Sequence, residues 1–323
     1  MNKSVLSLWL VVAGASVANA AQSGTDSWLD GDTLTGDWNG RRTALEAEGY
    51  HFFAYFNSIV ARNVSGGLES STAGAGDLYA GMQVDLGKAL DWDGWSFNLS
   101  GINRNGRSID EEVGGIYSVM QLVGGQTHFL YGLNLEKTWD NDKYALKFGR
   151  TTATDDFAGS PFYGYYLSNS IDGQIRAVLF DGVMTSYPFA VWGARFKYAP
   201  SDGFRVKIGA YQLTEKMWDP QEHGTDFAFR GSDGLSLMTQ LEWDWSNAGR
   251  PGHFNFGMNN VRFDMPNFNS TDVTENFMRY YFQMDQQITS ESPGSDQGLY
   301  LFGTLAYTDR ADPEDYKSHG RSP

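Results

Sequence analysis

The residues able to do chemistry are charged or aromatic, and they crowd the middle of the chain. Arg104, Arg107, Lys147, Arg150, Arg195, Arg205 and Lys207 supply cations. Asp155 and Asp156 supply adjacent acids, and Tyr163 stands among Phe157, Phe162, Tyr165 and Tyr166. Guanidinium forks grip hydroxyls or small anions and carboxylates accept from hydroxyls, each through two-point hydrogen bonds, and flat rings offer an apolar face on which a pyranose can lie. Covalent chemistry has no comparable set. The sequence contains no cysteine, which excludes disulfide frameworks, thiolate clusters and thiol nucleophiles. Its histidines (His51, His128, His223, His253 and His319) lack metal-ligand spacing, and neither HExxH nor GxSxG occurs. No catalytic residue, metal or cofactor is expected. A hydrolase built on the same scaffold would need a Ser–His pair, and nothing in the chain marks one.

These side chains sit on, or between, segments with a period of two from Tyr50 onward. Ala80, Met82, Val84 and Leu86 alternate with Tyr79, Gly81, Gln83 and Asp85. Phe129, Tyr131, Leu133 and Leu135 alternate with His128, Gly132, Asn134 and Glu136, which gives His128 the parity of the polar face. The pattern predicts strands over 50–62, 79–88, 95–103, 126–138, 143–150, 189–198, 204–213, 235–245, 253–263, 278–289 and 298–308. Most run about 9 to 13 residues, close to what a tilted strand needs to cross a bilayer, and longer than the usual strand of a soluble sandwich. The connections alternate between long (63–78, 104–125, 151–188, 214–234, 264–277) and short (87–94, 139–142, 199–203, 246–252, 290–297). Short turns on one side and long loops on the other are the pattern of an outer-membrane β-barrel. Trp92, Trp95, Trp139, Tyr144, Tyr198, Phe204, Trp245 and Phe254 gather by the short turns, as an interfacial girdle would.

Parity then assigns the charges. With Tyr144, Leu146 and Phe148 facing lipid, Lys147 points inward; the same rule turns Arg195 and Lys197, then Arg205 and Lys207, toward the lumen. Arg104 and Arg107 enter from the second long loop, and Arg150 lies at the root of the third. That third loop loses strand periodicity until Phe189, and a connection so long inside a compact domain is usually functional. It is expected to fold into the lumen and narrow it, with Asp155 and Asp156 facing the basic wall across a transverse field.

Composition agrees with a membrane barrel. Aromatic residues make up 15% of the chain and glycines number 38, while mean hydropathy is −0.42. No later stretch approaches the apolar length of a transmembrane helix. A net charge of −15 argues against nucleic acid as a partner. Residues 1–20, with Lys3, a short apolar run and Ala18-Asn19-Ala20, read as a secretory signal peptide. A flexible segment (21–36) and a short helix (37–49, Asp37 as N-cap, Gly49 after its end) precede the barrel (50–309), and an aperiodic tail (310–323) follows it.

Several stretches resemble the carbohydrate-selective porin family of the OprB type. They are LTGDWNGRRTALEAEG, NVSGGL from Asn63, RNGRS from Arg104, LKFGRTTATDDFAGSPFYG, FAVWGARFKYAPSDGFRVKIGAYQL and SPGSDQGLYLFGTLAYTD. The resemblance implies an all-β, antiparallel transmembrane barrel of 16 strands in the outer membrane, its pore narrowed by the third long loop. It implies passive diffusion of glucose and related sugars, with pore roles for Arg104, Arg107, Arg150, Asp155, Asp156 and Arg195. Outer-membrane lipid is then the surrounding partner, and a monomer and a homotrimer both stay open. A general anion-preferring porin is the alternative reading. The sequence shows 11 such strands, so the chain reads as C-terminally shortened relative to the family.

Overall fold

The computed structural model describes residues 33–115, 117–122, 124–171, 173–176, 178, 183–266 and 273–309. The expected signal peptide, residues 21–32 and the tail 310–323 lie outside the described residues. A short helix, α1 (Arg41–Ala47), leads into 11 antiparallel strands that form one sheet in strict sequence order. The first six are β1 (Tyr50–Arg62), β2 (Thr72–Asp85), β3 (Trp95–Gly106), β4 (His128–Trp139), β5 (Tyr144–Thr151) and β6 (Val191–Ser201). Then come β7 (Phe204–Leu213), β8 (Gly234–Asn247), β9 (Arg250–Pro266), β10 (Val273–Ser290) and β11 (Gly298–Thr308). Among the described residues β1 and β11 are each paired on one side only.

The two faces of the sheet are chemically opposite. Leu146, Phe148, Ile208, Trp243, Leu301 and Leu305 are exposed at alternating positions on one face, the apolar band that lipid requires. The other face buries Asp77, Ser100, Arg195, Gln240, Glu242, Gln283 and Asp285. At the short-turn end, Trp139 and Tyr144 stack with ring centroids 5.5 Å apart, and Tyr144 continues onto Tyr198 at 5.2 Å.

Three local details depart from the sequence pattern. α1 spans only Arg41–Ala47 behind Gly40, although the Asp37 carboxylate still accepts the Thr43 N–H at 2.9 Å. Strand β2 begins at Thr72 rather than Tyr79. Its first residues, Thr72-Ala73-Gly74-Ala75-Gly76, lack apolar alternation but pair with β1 from Arg62 to Ser58, and Ala73 and Ala75 are buried against Ile109, Met120 and Leu122 of the next long loop. The third detail changes a face. The β3–β4 register slips so that Ser100 pairs with Gly132 while Gly101 pairs with Leu130, leaving Tyr131 as the extra residue of a bulge. Parity reverses on the far side of the bulge. Phe129 and Tyr131 therefore turn inward, and His128, expected on the lumen face, turns outward and stacks on His223 at 4.3 Å.

Candidate functional site

The long connection between β5 and β6 starts with a turn that its own sequence specifies. Thr152 and Asp155 form a reciprocal capping box around a 3-10 turn over Ala153–Asp155. Asp155 is used further: it accepts from the Tyr131 hydroxyl, and from Thr151 Oγ1 at 3.2 Å. The turn aims the next residue, Asp156, straight at the wall. Lys147 Nζ lies 2.6 Å from one carboxylate oxygen and Arg195 Nε 3.0 Å from the other. Tyr211 donates its hydroxyl at 3.1 Å. Burial alone would raise the Asp156 carboxyl, but Lys147 and Arg195 outweigh it and hold the group below its ordinary value. Rather than facing the basic wall across a gap, Asp156 is bonded to it.

Arg195, Arg205 and Lys207 of the wall are paired with acids too. Arg195 also meets Glu136 at 2.9 Å. Arg205 binds Glu242 at 2.6 Å and forks onto both oxygens of Asp244. Lys207 reaches Glu242 at 2.5 Å and donates to the Asp156 carbonyl at 3.0 Å. Glu136, Glu242 and Asp244 were legible as lumen-face residues from strand parity, but parity could not say that each would neutralise a cation.

Beyond Asp156 the loop packs as a core. Phe157, Ala158, Val183 and Met184 are buried with Tyr211, Met238, Val261, Phe277 and Tyr281 of the wall. Gly209 makes room, since a Cβ there would come within 2.7 Å of the Phe157 ring. Tyr163 is only 1% exposed: its hydroxyl pairs with Thr304 of β11 at 2.5 Å and accepts from Gln283 of β10 at 2.6 Å. Phe162 stacks on Phe302 at 5.2 Å. Returning, the loop places the Tyr187 hydroxyl 2.8 Å from Asp77 on β2. The loop thus bonds to the concave face from β2 to β11.

Three expected site residues take other positions. Arg104 lies on β3 rather than in the loop, buried beneath the Tyr187 ring at 4.7 Å and 3.8 Å from Asp77. Arg107 remains exposed at the loop rim and binds Glu112 at 2.5 Å and Ser71 at 3.1 Å. Arg150 has the parity of Leu146 and Phe148, so it points away from Lys147 and the lumen face. Its guanidinium is buried under the connection between β7 and β8, donating to the carbonyls of Ala190, Gly224 and Asp226 at 2.5 to 3.0 Å. It ties down a loop on the outer side of the rim.

On the β1–β5 side, a cavity of 890 Å³ stays open beside the loop. It runs from Lys88 and Gly94 at the short-turn end up to Asp155 and Tyr187. Tyr79, Tyr131, Gln83, Asn98 and Asn134 line it. Tyr131 was hidden from the sequence by the bulge, and Tyr187 by the absence of any pattern in the loop.

A sheet with one face apolar and exposed, and the other polar and crossed by a pinned loop, is the wall of a porin-type barrel. The model of the family described as carbohydrate-selective porin, OprB family, matches residues 69–317, and the chain belongs to that family of outer-membrane porins. It is similar to Porin B of Pseudomonas aeruginosa, 28% identical across 92% of this chain and 69% of that protein. A protein named putative porin QuiX, of Acinetobacter baylyi, is 24% identical across 93% of this chain and 72% of its own. Among solved structures, the high-pH structure of Pseudomonas putida OprB shares the fold with a TM-score of 0.81 at 22% identity, covering 88% of this chain and 72% of that one. The low-pH structure of the same protein matches with a TM-score of 0.55 at 22% identity, over 85% and 72%.

Proposed function

We propose that this porin passes glucose and related sugars by passive diffusion, through a lumen that the β5–β6 loop narrows. The observation that carries the reading is the cavity left beside that loop, 890 Å³ with rings and side-chain amides on its wall. Neutral hydrogen-bonding groups and apolar rings suit an uncharged polyol. Three of the charges that line the cavity are spoken for: Lys147 by Asp156, Glu136 by Arg195, and Asp155 by the Tyr131 hydroxyl. That pairing weighs against the anion-preferring alternative, which needs cations free to meet a permeant. The exposed outward face of Leu, Phe, Ile and Trp side chains supports outer-membrane lipid as the surrounding partner.

Liposome swelling tests the reading. Vesicles carrying the chain should admit glucose faster than protein-free vesicles and faster than they admit a trisaccharide. Vesicles that conduct chloride yet exclude glucose would reject sugar passage and favour the anion reading.

A further inference from the structure

Sequence reasoning put the sugar-stacking rings in the central loop, but there Phe157 and Tyr163 are sealed against the wall. Tyr165 and Tyr166 are exposed but do not line the cavity, which is lined by Tyr79, Tyr131 and Tyr187. Tyr79 stands at the centre of a cluster drawn from two further strands and the loop. Its ring centroid lies 4.9 Å from Phe53, 6.4 Å from Tyr55, 5.7 Å from Tyr131 and 6.4 Å from Tyr187. The outer members are anchored through their hydroxyls: Tyr131 donates to Asp155 and Tyr187 to Asp77. A ring held this way loses little freedom when a ligand lies on it, so the surface is organised before binding.

The same cavity has an unanswered polar atom on its wall. Asn98 lines the same cavity, its Nδ2 placed 3.4 Å from Ser100 Oγ, and its Oδ1 is buried with no hydrogen-bond partner. Whichever way the amide is set, one of its two polar ends has no protein partner. A buried orphan of this kind is destabilising unless something answers it. The Asn98 amide and Ser100 hydroxyl sit over Gly132, which faces inward by the regular parity of β4, and a Cβ there would collide with both. The bulge one residue earlier supplies the ring of Tyr131.

We propose that Tyr79, with Tyr131 and Tyr187 behind it and Asn98 beside it, forms a saccharide subsite that takes an uncharged pyranose. The C–H face of the sugar lies on the Tyr79 ring, and a hydroxyl answers the Asn98 amide. Asn134 and Gln83 line the same cavity and extend the hydroxyl-binding edge. The proposal rests on the carbohydrate reading above and assigns it a place on the β2–β4 wall, with Tyr187 reaching in from the end of the loop.

Titration of the full chain, folded in detergent, with D-glucose by saturation-transfer NMR tests this. The Tyr79→Leu variant keeps apolar bulk without the ring and should weaken glucose binding about five- to ten-fold, while Tyr79→Phe stays within about two-fold of wild type. Asn98→Ala should cost about three- to ten-fold, one hydroxyl hydrogen bond. If Tyr79→Leu fails to fold, the Asn98→Ala and Tyr79→Phe pair carries the test. Wild-type affinity in both Tyr79→Leu and Asn98→Ala would overturn the subsite and leave sugar passage standing. Absence of glucose binding to wild type, together with glucose exclusion from liposomes, would overturn both.

Discussion

The two halves of the lumen face are built from different chemistry, and only one half stays open. Along β5–β8, Lys147 and Arg195 meet Asp156 and Glu136, and Arg205 and Lys207 meet Glu242 and Asp244, two ion-pair clusters joined by the Lys207 hydrogen bond to the Asp156 carbonyl. The loop closes over the first, and the side chains of Lys147, Asp156 and Arg195 are at most 11% exposed. Along β1–β4 the face carries tyrosines and amides, and the cavity lies in front of them. The contrast separates two uses of polarity. Opposite charges in contact lose their long-range field and become a fastening, strong only while every partner is present. Neutral rings can be anchored through their hydroxyls, as Tyr131 and Tyr187 are, and still line the cavity.

The largest way to break the contrast is to unfasten the loop. Asp156→Asn removes the counter-charge of Lys147 and one of the two partners of Arg195, and should loosen loop docking by about 3 kcal/mol, as removing one member of a buried ion pair does. Proteolysis within residues 157–187 of the folded protein should become rapid. The same fastening has a pH limb. Because the Asp156 carboxyl is held below its ordinary value of 3.8 in the folded chain, its contribution is fully present above that value and disappears as pH falls through the lower folded value. Protease resistance should therefore be level from neutral pH down to about 4, fall below it, and lose that acid limb in Asp156→Asn.

A smaller break comes from packing alone. Gly209→Ala places a Cβ within 2.7 Å of the Phe157 ring and should cost about 1–3 kcal/mol of loop docking. Hydrogen exchange should rise in 153–163 and stay unchanged in β1–β3. The smallest change sharpens the boundary between the halves. Tyr131→Phe removes one hydrogen bond to Asp155, worth about 1 kcal/mol, while keeping the ring. Glucose affinity should hold within two-fold as the thermal midpoint falls slightly; a large loss of affinity would mean that Asp155 belongs to the open half.

Much of this was legible in the chain. Nine of the 11 strands start within three residues of where the period-two pattern puts them, while β2 and β10 start earlier, because alternation is a local consequence of a pleated backbone with one lipid face and one polar face. The same parity set Lys147, Arg195, Arg205 and Lys207 on the lumen face and held the acids that would meet them. It failed at the bulge, where one extra residue turned Tyr131 inward and His128 outward without any mark in the hydrophobic pattern.

By itself, then, the sequence determined the strands, their faces, the alternation of long and short connections and the family. The tertiary structure decided which charge answers which, that Arg150 fastens a loop on the outer side of the rim, and that the open wall is tyrosine and amide. The physical reason is range. Strand parity is written in neighbouring residues, whereas the contacts that close one half and leave the other open join residues far apart, such as Tyr163 with Thr304, 141 positions away. A pattern of period two carries no information about them, and only packing the loop against the wall settles them.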